Sequence, residues 1–453
     1  MKRLIQITIV FITCSFAINS NAQCSSVGEG TSAGVKYLFP DTEHNCLYAG
    51  GAFQNCGNET MNHCTYWNGT DFMPMSVNGS IGCNDSIWCY AYHNGSLYVG
   101  GDFTMAGGVA CNHIARWDGE SWFPVGEGFN AAVHSLCDLN NLLYAGGAFT
   151  MCGTNTANHL CSWDGTQWIQ VQDGMNGDVE SMCTWNGSLC IGGSFIMAGT
   201  TTVNHICSWN GSAMNLFGNG LSTEEMGSTM VHSLCVYNNN LCAGGMFDHS
   251  GNMSMHNLAM WNGSSWNSMG DIEGEMNNSL SAMCVYNDQL YIGGTFNSCG
   301  SSSAQNLACW NGSSWLNIGS GMNGHVSSLA VYNNELYMGG EFSNAAGISV
   351  SNLAKYSAST GIQTLSDPSF SFGFYPNPAQ DQVTLQWNNV ESATLTIQII
   401  DMSGRVITQQ NTGTLHTGYY QQTLQTSDIQ AGSYFIHVIS GEDVHTSKFI
   451  VAR

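Results

Sequence analysis

Seven times along this chain a short apolar run ends in Gly-Gly-x-Phe, and an aromatic follows each Phe by fourteen residues. The copies begin at Gly50, Gly100, Gly146, Gly192, Gly244, Gly293 and Gly339. Their paired aromatics are Trp67, Trp117, Trp163, Trp209, Trp261, Trp310 and Tyr356. The repeats are spaced by 46 to 52 residues. A unit this short cannot cover both faces of its own sheet, so successive copies must stack on one another.

Each repeat reads as four strands. In the fifth, Val231 to Tyr237 is followed by Asn238-Asn239 and then by Asn240 to Gly245. The same register places Asn94-Gly95, Asn140-Asn141, Asn186-Gly187, Asn287-Asp288 and Asn333-Asn334 at the tips of five other hairpins. Two-residue tips need positive φ, which Asn and Gly tolerate best. The marker Trp ends a third strand, and a second aromatic opens the fourth at Phe72, Trp122, Trp168, Trp266 and Trp315, with Met214 in the fourth repeat. The seventh repeat lacks its fourth strand. Ser26-Val27-Gly28-Glu29-Gly30 matches Pro124-Val125-Gly126-Glu127-Gly128, so the N-terminal segment is expected to supply it. Seven four-stranded units closed in this way make an all-β, seven-bladed β-propeller over residues 23–362. The Gly-Gly strand ends and later aromatics resemble kelch-type propellers, a likeness that speaks to fold alone.

The two ends differ from the repeats. Residues 1–22 read as a secretory signal: Lys2 and Arg3, an apolar run from Leu4 to Ile18, and Ser20-Asn21-Ala22 before Gln23. No other segment is long and apolar enough for a transmembrane helix. Residues 363–370 read as a linker, and residues 371–453 as a small Ig-like β-sandwich with alternating strands. Tyr375-Pro376-Asn377-Pro378, Asp401 to Gly404, Ala431-Gly432-Ser433-Tyr434 and Lys448-Phe449-Ile450-Val451 occur there in order. Together they resemble the C-terminal sorting domain of type IX secretion substrates. That resemblance implies a Bacteroidota-type source, the type IX machinery as partner, and cleavage of the signal and sorting domain. The expected location is the cell surface or the extracellular medium.

Charge removes several classes of partner. Without residues 1–22 the chain has six Lys and Arg against 31 acids, and the propeller holds only Lys36, Arg116 and Lys355. Nucleic acid and anionic membrane surfaces need clustered cations, which three scattered bases do not provide. Eighteen Cys follow the signal, and an even count in an exported chain suggests disulfides. The expected bridges are Cys183/Cys190 and Cys235/Cys242 across hairpins, and Cys152/Cys161, Cys299/Cys309 and Cys56/Cys64 within loops.

Candidate site residues fall into two sets. The variable loops between repeats carry Glu127, Asp173, Asp178, Glu224, Glu225, Asp271, Glu273 and Glu275. Such carboxylates could take Ca2+ or another divalent cation, but no EF-hand-like run occurs and solvated acidic loops are the better reading. With Trp88, Phe129 and Phe217 as exposed rings, the same face suits a glycan or protein ligand. The second set lies twelve residues before each Gly-Gly, on the innermost strand. His134, Glu180 and His232 occupy that position in three consecutive repeats; Leu38, Trp88, Ser281 and Ser327 occupy it in the others. Two imidazoles and a carboxylate near an axis would suit a divalent metal or acid–base work. The Asn-His pairs at Asn62-His63, Asn112-His113, Asn158-His159 and Asn204-His205 are read as repeated structural bonds, since Asn replaces His in the last three repeats. No nucleophile elbow or phosphate loop occurs. A binding or adhesion module is therefore the leading expectation, and a carbohydrate-active or metal-dependent enzyme at the axial mouth is the alternative.

Overall fold

The computed structural model describes residues 23–223, 229–273, 279–357 and 372–452, with breaks at 377–378, 390–392, 402–404, 417 and 441–442. The expected signal (1–22) and linker (363–370) lie outside the described residues. Two units are present, and no α-helix occurs among the described residues.

Residues 23–357 form seven four-stranded antiparallel sheets. The second is typical: Ile87–His93, Ser96–Gly101, Ile114–Trp117 and Trp122–Pro124 lie side by side in sequence order. Its first hairpin turns at Asn94 and Gly95, with φ of 50° and 74°. The seventh sheet combines His325–Tyr332, Glu335–Glu341 and Leu353–Ser357 with the N-terminal strand Gln23–Ser26. Cys24 pairs with Tyr356 and Ser26 with Ala354, so the two ends of this unit share one sheet. The innermost strands touch in cyclic order, the seventh meeting the first.

The paired glycines follow from two different close approaches. A Cβ on Gly146 would lie 2.4 Å from Val179 of the next sheet, and one on Gly339 would lie 2.6 Å from Val35, across the ring closure. The first glycine therefore lets neighbouring sheets meet. A Cβ on the second glycine would strike backbone in its own sheet, 2.2 Å from the Ala132 carbonyl at Gly147 and 2.0 Å from the Asp178 carbonyl at Gly193. It makes room for the start of the innermost strand.

Each pair of adjacent sheets encloses its own apolar cluster. Between the second and third sheets, for example, Ala91, Tyr98 and Ile114 pack with Val133, Leu143 and Phe149. The aromatics add directional bonds. Trp168 Nε1 donates to the Val125 carbonyl of the preceding repeat at 3.1 Å, and Trp122, Trp266 and Trp315 do the same to Met75, Phe217 and Met269. A buried indole N–H needs such a partner. The Asn-His pairs are also structural. Nδ1 of His63, His113 and His159 faces the carbonyls of Gly51, Gly101 and Gly147 at 3.0–3.2 Å.

All eighteen described cysteines are free thiols, against the expectation of disulfides. Trp185 and Ser188 close a two-residue tip, and Cys183 and Cys190 sit two pairs further along, directly opposite one another and unbonded. Cys235 and Cys242 occupy the same position in the fifth sheet. Cys299 and Cys309 pack into different apolar clusters, as do Cys56 and Cys64, the first of each pair on a small separate sheet. Cys152 and Cys161 share a cluster, but the Cys161 thiol donates to the Ala157 carbonyl at 3.6 Å.

The C-terminal unit contains two antiparallel sheets. One joins Phe372–Tyr375, Gln382–Asn389 and Gly418–Gln425; the other joins Val406–Leu415, Ala393–Asp401, Gly432–Ser440 and Asp443–Val451. Val383, Leu385, Leu395, Ile397, Ile436 and Phe449 form one core between them.

Candidate functional site

Every innermost strand contains one break in register just after its first or second pair, and each break leaves one residue without a partner. The seven unpaired residues are Lys36, Trp88, His134, Glu180, His232, Ser281 and Ser327. A bulge of this kind re-aims a side chain away from the sheet. All seven line a central cavity of about 400 Å³. In the first repeat, counting back from Gly-Gly had given Leu38. Its hairpin is longer, closing on Asp41 and Cys46, so the count falls short and Lys36 is the structural equivalent.

Serines beside the bulges satisfy strand-edge amides that face the axis. Ser135 Oγ accepts from Met182 N at 3.0 Å, Ser181 Oγ from Leu234 N at 3.1 Å, and Ser328 Oγ from Leu38 N at 2.9 Å. Each bond also joins one sheet to the next.

Charges at the mouth are paired. Lys36 Nζ donates to Glu341 Oε1 at 2.6 Å and lies 5.6 Å from the Trp88 ring centre. Lys36 holds the Glu341 carboxyl below its usual range. Trp88 Nε1 donates to Asp102 Oδ2 at 2.7 Å. His134 Nδ1 lies 3.2 Å from Glu180 Oε2, an ion-pair distance without the alignment of a hydrogen bond. Burial works against a charged His134, but Glu180, Asp178 and Asp102 outweigh it and raise its pKa. Burial likewise opposes ionised Glu180, and His134 with His232 outweighs it, lowering its pKa. Burial lowers the pKa of His232 despite the pull of Glu180.

The expected trio is thus an ion pair, His134 with Glu180, and a neighbouring imidazole, His232. Among the described residues no three His, Cys, Asp or Glu side chains are grouped to hold a metal ion. Successive bulges set these side chains on different sheets around a ring, and Glu180 is already engaged by His134.

The loop candidates lie elsewhere. Glu127, Asp173 and Asp271 are exposed and do not line the cavity. Asp271 Oδ1 faces His256 Nδ1 at 2.8 Å. Glu224, Glu225 and Glu275 lie outside the described residues. Phe129 and Phe217 were expected on the surface and are buried instead. Phe129 stacks on Phe149 with ring centres 4.1 Å apart, and Phe217 packs 5.6 Å from Trp261. Phe217 directly follows the outer strand Met214–Leu216 and Phe129 bridges to Cys152, and each enters an inter-sheet cluster. Trp88 alone of the three rings reaches the cavity.

Sequence reasoning missed Lys36, Asp102, His325 and Glu341. Asp102 and Glu341 fill the x of Gly-Gly-x-Phe, whose neighbours face the bulges, so that position carried a readable signal. His325 Nε2 lies 2.8 Å from Ser281 Oγ, and its Nδ1 lies 3.3 Å from Ser327 Oγ.

Residues 373–452 match a family model described as a secretion system C-terminal sorting domain. Residues 94–117 match a β-propeller domain of unknown function, DUF5122. No curated protein matches the chain by sequence. Among solved structures, PorZ of Porphyromonas gingivalis is described as an essential bacterial surface component of the type IX secretion system. It aligns at 12% identity and a TM-score of 0.39 over 92% of this chain and 65% of its own. The chain therefore spans 65% of the length of that relative. The β-propeller domain of the Trilobed protease from Pyrococcus furiosus aligns at 12% identity and a TM-score of 0.35, over 73% of this chain and 95% of its own. A glycoside hydrolase family 43 arabinoxylan arabinofuranohydrolase from Bacillus subtilis aligns at 10% identity and a TM-score of 0.26, over 94% of this chain and 93% of its own. The sequence matches and the sheet topology agree: the chain is a secreted protein in which a β-propeller precedes a secretion-system C-terminal sorting domain.

Proposed function

We propose that residues 23–362 are a seven-bladed, kelch-like propeller acting as a binding or adhesion module, with the end of a neutral glycan as its ligand at the axial mouth. In this reading residues 1–22 are the signal, 363–370 the cleavable linker and 371–453 an Ig-like sandwich. Removal of both ends leaves the propeller on the cell surface or free outside the cell.

The observation that carries the reading is the pairing of charge around the cavity. Lys36 is taken by Glu341 and His134 by Glu180, and the Asp102 carboxylate accepts from the neutral Trp88 indole. Burial keeps His232 and His325 neutral. The groups left to meet a ligand are uncharged donors and acceptors: two imidazoles and the hydroxyls of Ser281 and Ser327. A concave site with a few convergent polar groups suits a neutral polyhydroxylated ligand better than an ion. The acidity of the chain disfavours anionic glycans further.

The test is an array of neutral and acidic glycans probed with the mature protein and with a Trp88→Ala/His232→Ala variant. Binding to neutral glycans, lost in the variant, is the expected result. Silence on every neutral glycan, or binding confined to acidic ones, refutes the reading.

A further inference from the structure

We propose that Ser281 is an activated nucleophile with His325 as its general base, giving the axial mouth an esterase activity toward acyl esters of hydroxylated ligands. The inference shares the cavity and the side chains of Ser281, Ser327 and His325 with the binding reading, but not Trp88 and His232, on which the glycan test turns.

Ser281 is the bulge residue of the sixth innermost strand, so its hydroxyl is aimed into the cavity rather than at a ladder partner. His325 opens the seventh innermost strand and reaches it across the sheet boundary, Nε2 to Oγ at 2.8 Å. Ser327 Oγ lies 3.3 Å from the other ring nitrogen. With Nδ1–H donating to Ser327, the Nε2 lone pair is left to accept the Ser281 proton, which is the tautomer a general base requires. Burial, helped by Lys36 and His232, keeps the imidazole neutral against the pull of Glu341. Glu341 pairs with His325 across the strands and is held ionised, so a carboxylate stands ready beside the imidazolium once it forms. Lys36, the one Lys or Arg lining the cavity, stays paired with Glu341 and takes no direct part in the reaction.

The reaction follows from these parts. Ser281 Oγ adds to the ester carbonyl while its proton passes to His325 Nε2. The tetrahedral adduct collapses, the alkoxide leaves with that proton, and an acyl-serine remains. Water then attacks the acyl carbon, giving its proton to Nε2. Collapse releases the carboxylic acid and restores the hydroxyl. Ser327 is a positioning residue, acting through the imidazole.

The experiment treats the mature secreted chain with an aryl fluorophosphonate and maps the adduct by peptide mass spectrometry. Hydrolysis of p-nitrophenyl acetate is followed in parallel. An adduct on Ser281 is expected, absent in Ser281→Ala and slowed about 100-fold or more in His325→Gln. The rate should rise with pH through a midpoint below 6.5, since the pKa of His325 is lowered from that value. Ser327→Ala should shift this midpoint. Thermal melting checks that each variant is folded, and His325→Asn replaces His325→Gln should the latter unfold. No adduct on Ser281 in the folded protein, or an equal rate in the folded His325 variant, overturns the proposal. Wild-type glycan binding, measured on the same preparation, separates the two readings. Binding without labelling removes the esterase alone, and loss of both removes both.

Discussion

Replacing Gly146 with alanine places a methyl group 2.4 Å from Val179 Cγ1 and 2.9 Å from Val179 Cβ, at the contact between the third and fourth sheets. Carbon atoms at rest sit about 3.5–4.0 Å apart, so the sheets must part locally by roughly an ångström. Overpacking of this kind costs about 1–3 kcal/mol. Val179→Ala alone removes two methyls from a fully buried position and should cost about 2 kcal/mol. In the double variant the new methyl enters the space that Val179 vacates. The combined loss should therefore fall short of the sum by about 1–2 kcal/mol, within the range seen for touching residues. Gly147→Ala is the control. Its methyl meets the Ala132 backbone carbonyl at 2.2 Å, which truncating Val179 cannot relieve. Urea unfolding followed by tryptophan fluorescence reads these differences, because every Trp except Trp387 lies in the propeller. If Gly146→Ala and Val179→Ala add within about 0.5 kcal/mol, the account of the first glycine fails.

Three further outcomes are expected. Trp168→Phe strips the buried Val125 carbonyl of its 3.1 Å donor and should lower stability by about 1–3 kcal/mol in the same urea assay; an unchanged midpoint contradicts the inter-sheet bond. In an NMR titration His134 should titrate above 6.5 and His232 and His325 below it. The raised pKa of His134 makes its contribution complete below about 6.5 and lost as pH rises through the folded value. The lowered pKa of Glu180 makes its contribution present above about 4.5 and lost as pH falls through the folded value. Glu180→Gln should therefore cost more stability at pH between those limits than at alkaline pH, and a cost that is flat with pH contradicts the ion pair. Thiol titration of the mature protein, unfolded without reductant, should return all eighteen cysteines as free; a lower count restores the disulfides.

The repeat was readable because its causes are steric and local. Gly-Gly, the two-residue Asn-Gly tips and the Trp spacing each answer a constraint that acts within one sheet or against the next. The missing strand of the seventh repeat was readable for the same reason: Cys24 to Ser26 pairs with Ala354 to Tyr356 as Trp122 to Pro124 pairs with Ala115 to Trp117. The site was only half legible. His134, Glu180 and His232 were found because the offset from Gly-Gly holds wherever the hairpin tip has two residues. Lys36 was missed because the first hairpin is longer. His325 was missed because its partner Ser281 lies on another strand of another sheet, a relation no periodicity encodes. Phe129 and Phe217 misled because a ring near a variable loop looks the same in sequence whether it faces solvent or the next cluster. The cysteines stand as free thiols in the structure; an even count in an exported chain says nothing about which sulfurs actually join.

The bulges have a consequence for how such a protein can change. A residue with no ladder partner, aimed into an open axis, takes no part in the backbone ladder of its sheet, while in three sheets the adjacent serine carries a cross-sheet bond. The seven axial positions form a vocabulary separate from the grammar of the ring. This chain spells Lys, Trp, His, Glu, His, Ser, Ser, and its Gly-Gly and Trp framework would carry another spelling with little loss. Chains sharing that framework can thus differ entirely in what their mouths accept, and the seven letters rather than the fold are the place to compare them.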